Sequence, residues 1–381
     1  MKKILIGIAA MVAFVGCGKK EKTVNMYMWG GSQEINKFMD NVVAVNLEKK
    51  DNIKLNRVPI TNIKDTVNKL IIEKQAGKKN GSIDLIWVNG ENFKELKNAG
   101  VLEENIGKNL KNLQYVKEST LEKDFGEPIN GYEIPWGEAQ FNFIYRGNGN
   151  IPFNDSKTLM EYVKNNPGRF TYPEVNNFTG SAFVRNMAID ILGYENIEKM
   201  TNEELKNNLN IVWNYFNEMK PYLWREGSTY PESEGKLDTL YGNGEVDVTM
   251  GYTLNKVTAK IDAGQYDKNS KSFLLDKGTL FNNHYLAIPK NGKNKEDAKI
   301  VIDYLISPEG QLLKQEPENW GDLTILDVNK LDETTQKKFK SLIESKNLPS
   351  LKDIQEKRIK ELSPEKLAII EEGWNSNVGK I

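Results

Sequence analysis

Over residues 24–100 the chain alternates short apolar runs with amphipathic stretches, and the apolar runs break at glycine or asparagine. The run at 24–29 stops at Gly30-Gly31, and the run at 82–88 stops at Asn89-Gly90. Between them Ile35, Phe38, Met39, Val42, Val43 and Val45 recur at helical spacing over 35–49 behind Ser32, Gln33 and Glu34. Residues 53–58 read as a strand, and 63–75 as a helix ended by Gly77. Strands that alternate with covering helices bury their apolar faces in a mostly parallel sheet with helices on both sides. The pattern predicts an α/β fold.

Cys17 is the only cysteine, so no intrachain disulfide can form, and stability must come from a core built from the 39% apolar content. A chain of 381 residues divides into two domains on size alone. The formal charge is −1, and without Lys2 and Lys3 there are 50 basic against 53 acidic side chains, which argues against nucleic acid as a partner. The N-terminus has its own logic. Lys2 and Lys3 precede twelve apolar or small residues, 4–15, too few to span a bilayer, which needs about 20. Gly16-Cys17 closes that segment, which resembles a bacterial lipoprotein signal, although Phe14 stands where leucine is usual. The resemblance implies removal of 1–16, lipidation of Cys17, and 17–23 as a tether to a membrane-anchored, otherwise soluble body. A plain secretory signal is the alternative; either implies export.

Further along, 132–145 is extended and aromatic, 169–173 reads as a short strand, and a Gly180-Ser181 turn leads into a helix over 182–192. Residues 203–218 are helical, 246–251 form a strand ending at Gly251, 279–289 are extended, and 295–306 form a helix stopped by Ser307-Pro308. Several strings carry a family resemblance: Trp87-Val88-Asn89-Gly90-Glu91-Asn92-Phe93, Pro135-Trp136-Gly137-Glu138-Ala139-Gln140, Arg169-Phe170-Thr171-Tyr172-Pro173, Asn282-Asn283-His284-Tyr285, Ser307-Pro308-Glu309-Gly310-Gln311 and Trp320-Gly321-Asp322. With these the chain resembles the substrate-binding lipoproteins of ABC importers, most closely the branch linked with thiamine transport. The resemblance implies a two-lobed type II periplasmic-binding-protein fold, with mixed sheets joined by a two-crossing hinge. Lobe one would comprise 24–143 and 285–381, lobe two 144–284, with crossings at 136–146 and 279–285. It also implies a monomer that captures a small molecule and works with a permease and an ATPase.

In open α/β sheets ligands sit beyond the carboxyl ends of strands. The residues there are Trp29, Gly30 and Ser32; Trp87, Asn89 and Glu91; Tyr172; and Tyr252. The crossings add Trp136, Glu138, Asn283 and His284, and a turn adds Trp224 and Arg225. Aromatic rings at such ends can sandwich a flat cation, and the acids Glu34, Glu91 and Glu138 can offset its charge. Thr179, Gly180 and Ser181 read as an anion site at a helix start, or as an ordinary cap, and Arg225 as an anion partner or a surface ion pair. Trp213 and Trp374 sit in helical patterns and are assigned to packing. Both site features together point to thiamine or a thiamine phosphate. A polyamine, a small carboxylate or phosphonate anion, or a ligand-sensing receptor on the same fold are alternatives.

One histidine and no spare cysteine exclude the usual zinc and manganese ligand sets, and no cofactor is expected. Ser233-Glu234-Gly235-Lys236 and Ser363-Pro364-Glu365-Lys366 match S-x-x-K, but they lack the companion motifs of penicillin-recognising enzymes. There is neither a G-x-S-x-G elbow nor a Walker A loop, so no enzyme is expected and ATP hydrolysis would belong to a partner.

Overall fold

A computed structural model describes residues 22–30, 32–60, 63–147 and 150–379. The signal segment, Cys17, most of the tether and Gly31 lie outside the described residues.

The first strand, β1 (Lys22–Trp29), begins inside the expected tether, because Lys22 and Thr23 already pair with Ile53 and Lys54 of β2 (Ile53–Ile60). Helix α1 (Gln33–Phe38) runs through a π segment (Met39–Val43) into α2 (Ala44–Asp51), which ends on left-handed Asn52. After α3 (Ile63–Gln75), β3 (Leu85–Val88) enters the middle of the sheet, parallel to β1. Leu85 and Trp87 face one core while Ile86 and Val88 face another, so β3 is covered on both sides. Helix α4 (Gly90–Asn98) follows, then a small hairpin, β4 (Lys123–Asp124) and β5 (Glu127–Pro128). Strand β6 (Glu133–Gln140) lies antiparallel to a later crossing strand, β10 (Thr279–Ala287).

The chain then enters a second lobe. Strand β7 (Asn142–Arg146) is the centre of a three-stranded sheet between β8 (Val248–Gly251) and β9 (Ser270–Phe273). Around it pack α5 (Ser156–Asn165), α6 (Phe178–Leu192), α7 (Tyr194–Lys199), α8 (Asn202–Met219), α9 (Glu234–Gly242) and α10 (Lys256–Asp262). Capping boxes at Asp155 and Thr201 start α5 and α8. The stretch 169–173 does not join the sheet as a strand; its carbonyls accept instead from the backbone of Asp247 and Trp224. Helix α6 starts at Phe178, four residues before the expected position, because Asn177 caps it by accepting from the Thr179 N–H.

Strand β10 (Thr279–Ala287) returns to lobe one, where its far half pairs with β3 and β6. Helices α11 (Lys295–Leu305), α12 (Pro308–Gln315) and α13 (Glu333–Ser341) follow there. The expected placement of 285–381 wholly in lobe one needs correction. The side chain of Asn347 donates to the Ser270 carbonyl on β9, and Leu348 joins the lobe-two core. Next come α14 (Leu351–Glu356) and β11 (Arg358–Lys360), which pairs with the hinge end of β10. Helix α15 (Pro364–Asn377) then packs on α6 and α8, burying Ile369, Ile370 and Trp374 in the lobe-two core. The chain passes the hinge three times rather than twice. The reason is apolar: α15 has an apolar face that α6 and α8 complete. Trp213 and Trp374 are both core, and Gly373 admits Trp213, since a Cβ there would lie 2.4 Å from its ring. Among the described residues no helix is long and apolar enough to cross a membrane.

Candidate functional site

The two lobes meet across the ends of β1, β3 and β8. Among the described residues, ion pairs span them between Glu34 on α1 and Lys260 on α10 at 2.7 Å, and between Lys94 on α4 and Glu365 on α15 at 2.6 Å. Gly321 of lobe one comes so close to lobe two that a Cβ there would lie 2.6 Å from the Asn255 Cβ.

On lobe one, Trp29 ends β1 and stays 46% exposed. Gly30 permits close approach to β2, since a Cβ would stand 2.6 Å from the Pro59 Cβ. Ser32 caps α1 by accepting from the Ile35 N–H and donates to Glu34 at 2.9 Å, so its hydroxyl is committed to the helix. Asn89 occupies the cap position of α4 without a side-chain cap bond, and Glu91 lies exposed in the first turn, 3.6 Å from Lys64.

The wall behind them is aromatic. The ring of half-buried Trp87 meets Trp136 edge-on at 5.0 Å and His284 at 4.8 Å, while His284 stacks on Trp320 at 5.5 Å. His284 Nε2 lies 3.2 Å from Asp322, which buried Lys314 holds from the other side at 2.5 Å. Trp136 is fully buried and acts as the floor of this cluster. Glu138 is also buried, paired with Lys117 at 2.7 Å and Arg358 at 3.4 Å, so its charge is already met. Asn283 donates to the Tyr285 hydroxyl at 3.2 Å.

On lobe two, Phe178 begins α6 and stays 45% exposed, with its ring 5.0 Å from that of Tyr252. The Tyr252 hydroxyl donates to Glu361 at 2.8 Å, and Glu361 pairs with fully buried Arg185. Thr179 donates to Glu234 at 2.6 Å, and Ser181 to Glu371 at 2.5 Å. Gly180 serves packing, because a Cβ would stand 2.1 Å from the Glu174 carbonyl oxygen. Both hydroxyls of the expected anion site therefore bind the protein's own carboxylates. Lys256 lies against Glu234 at 2.8 Å and Asp238 at 3.0 Å. Burial would lower its pKa, but the two acids raise it above the ordinary lysine value.

Three expected site residues stand elsewhere. Tyr172 is enclosed in the lobe-two core, where Trp374 Nε1–H donates to its hydroxyl at 3.2 Å. Trp224 donates its backbone N–H to Phe170, at the end of lobe two away from Gly251. Arg225 stacks on Trp224 at 4.2 Å and leaves with it. The sequence reading in turn passed over Phe178, Glu234, Glu371 and Trp320. Trp320 and Glu234 stood in quoted strings, and Phe178 directly before Thr179, but none was weighed as a site residue. Glu371 had no local signal, because its helix was assigned to the other lobe.

Residues 43–344 match the family model described as bacterial extracellular solute-binding protein. The chain is 34% identical over 327 residues to the protein YnjB of Escherichia coli, covering 84% of each. In fold it resembles the spermidine/putrescine substrate-binding protein PotD of Streptococcus pneumoniae (TM-score 0.66, 14% identity, 93% of this chain and 99% of that one). It likewise resembles the periplasmic binding protein AfuA of Actinobacillus pleuropneumoniae (TM-score 0.63, 15% identity, 95% and 100%).

Proposed function

This chain belongs to the bacterial extracellular solute-binding proteins, and from that premise we propose that it captures a flat organic cation, thiamine first among them, between its two lobes. It is an exported, non-enzymatic component of an ABC importer, the partner of a permease and an ATPase. Lobe closure on the ligand creates the form that a permease selects. Lipidation of Cys17, as a membrane anchor, is part of the same proposal.

One observation carries the ligand class. The N-terminus of α6, the electropositive feature that would attract a phosphate, is covered by Glu234 and Glu371 through the hydroxyls of Thr179 and Ser181. An anionic ligand would have to displace these carboxylates; Lys256 already meets the charge of Glu234 at 2.8 Å, so a cation would meet Glu371. Trp29 and Phe178 supply exposed ring faces, one from each lobe. This favours thiamine over its phosphate esters.

Thermal unfolding of the chain without residues 1–21, against thiamine, its mono- and diphosphate, spermidine and small anions, tests the reading. A ligand at 100 times its Kd adds about 2.7 kcal/mol, enough to move the midpoint by several degrees. Thiamine is expected to give the largest shift, and Phe178→Ala to reduce it while leaving the unliganded midpoint nearly unchanged. A shift with spermidine alone would replace thiamine with a polyamine; one with phosphates or other anions alone would overturn the cationic class.

A further inference from the structure

We propose that Glu371, on the C-terminal helix α15, is the side chain that reads the positive charge of the ligand. This rests on the cationic reading above and names the residue behind it.

Helix α15 touches both lobes. The helix is carried by lobe two, yet its outer side meets lobe one, as the Lys94–Glu365 pair shows. Glu371 stands six residues beyond Glu365, and its carboxylate accepts from Ser181 in the first turn of α6. There it lies within electrostatic reach of Glu91 and Lys64 across the cleft. Local charges can then be paired off. Arg185 is matched by Glu361, and Lys64 by Glu91. Glu371 is the carboxylate over among these side chains, and Arg185 approaches the exposed ring of Phe178 at 5.9 Å.

Electrostatics agree with the geometry. Burial pushes the Glu371 carboxyl up. Ser181 and Arg185 pull it down, Glu91 pushes it up again, Lys64 pulls it down, and the net direction is upward. A carboxylate held short of its full countercharge gains when a cation arrives. Thiamine offers a thiazolium ring, and a polyamine an ammonium; both present the same charge to Glu371.

The test compares Glu371→Gln, Glu371→Asp and the parent protein, by calorimetric titration with thiamine and with its neutral analogue in which thiophene replaces the thiazolium ring. Glu371→Gln is expected to weaken thiamine by about tenfold or more, leave the neutral analogue within about twofold, and be largely rescued by Glu371→Asp. Equal losses for both compounds, without rescue, would mark Glu371 as structural and overturn the inference. Unchanged thiamine affinity would overturn it too, with the thiamine assignment intact. If the parent protein binds spermidine and not thiamine, the thiamine assignment fails while the same variants titrated with spermidine still decide the role of Glu371. Binding of anions alone would overturn both.

Discussion

Glu133 on β6 is the clearest case of a residue whose chemistry only its surroundings define. It is completely buried, and neither carboxylate oxygen has a partner. Burial drives its pKa well above the ordinary value, and the nearby charge of Asp124 adds to this. Asp124, buried beside it, is raised by burial as well, although the Gly90 N–H donates to it. A carboxyl with a raised folded-state pKa binds more protons folded than unfolded. Stability therefore falls as pH rises from the unfolded value, about 4.3, toward the folded one. Glu133→Gln is expected to raise stability at pH 7 by about 1 kcal/mol or more, with a gain that shrinks as pH falls toward about 4.3 and is lost below it. Thermal midpoints across that range would show it, and a gain independent of pH would refute the account. The aromatic residues illustrate the same limit. Their position at strand ends was legible, but whether a ring faces solvent, like Trp29, or seals a floor, like Trp136, depends on neighbours distant in sequence.

At the scale of elements, most strands and helices stood in the sequence because their signals are local: apolar period, caps and glycine breaks. The start of α6 shows where local signals mislead. Gly180-Ser181 looked like a turn, since glycine costs a helix about 1 kcal/mol relative to alanine. The chain bears that cost because the Pro173 and Glu174 carbonyls lie where a Cβ would go, 2.3 and 2.1 Å away. Gly180→Ala is expected to destabilise lobe two by about 1–3 kcal/mol despite alanine's better propensity. Chemical denaturation would read this directly; a stabilised variant would show that the close approach is unimportant. The stretch 169–173 errs the other way. Its β-rich sequence reads as a strand, but its carbonyls are satisfied by loop backbone instead.

For the whole molecule, the ion pairs that span the lobes set how readily the cleft opens. Burial alone would push the Glu34 carboxyl up, but hydrogen bonds from Lys260, its own backbone and Ser32, with the Lys260 charge, bring it down from 4.5 to about 2. A carboxyl depressed in the closed form favours closure above its free value. That contribution is complete above about pH 4.5 and is lost as pH falls toward about 2. The pair is partly exposed, so its worth is about 0.2–1 kcal/mol, a shift of a few-fold in the open–closed balance. Small-angle scattering of the ligand-free protein is expected to show a larger radius for Glu34→Gln than for the parent at pH 7, and no difference near pH 2. Equal radii at pH 7 would remove this pair from the closure balance.

By itself the sequence determined the α/β class and the solute-binding family. Each of these is encoded in local periodicity, in breaks at glycine and in short strings. Only the tertiary structure decided that the last helix returns to lobe two and brings Glu371 to Ser181. It also decided that Tyr172 is core and that Trp224 and Arg225 sit at the far end of their lobe. Local pattern states how much apolar surface a helix must bury, but not against which partner. That choice depends on which lobe has an uncovered face when the chain arrives, a property of the whole fold.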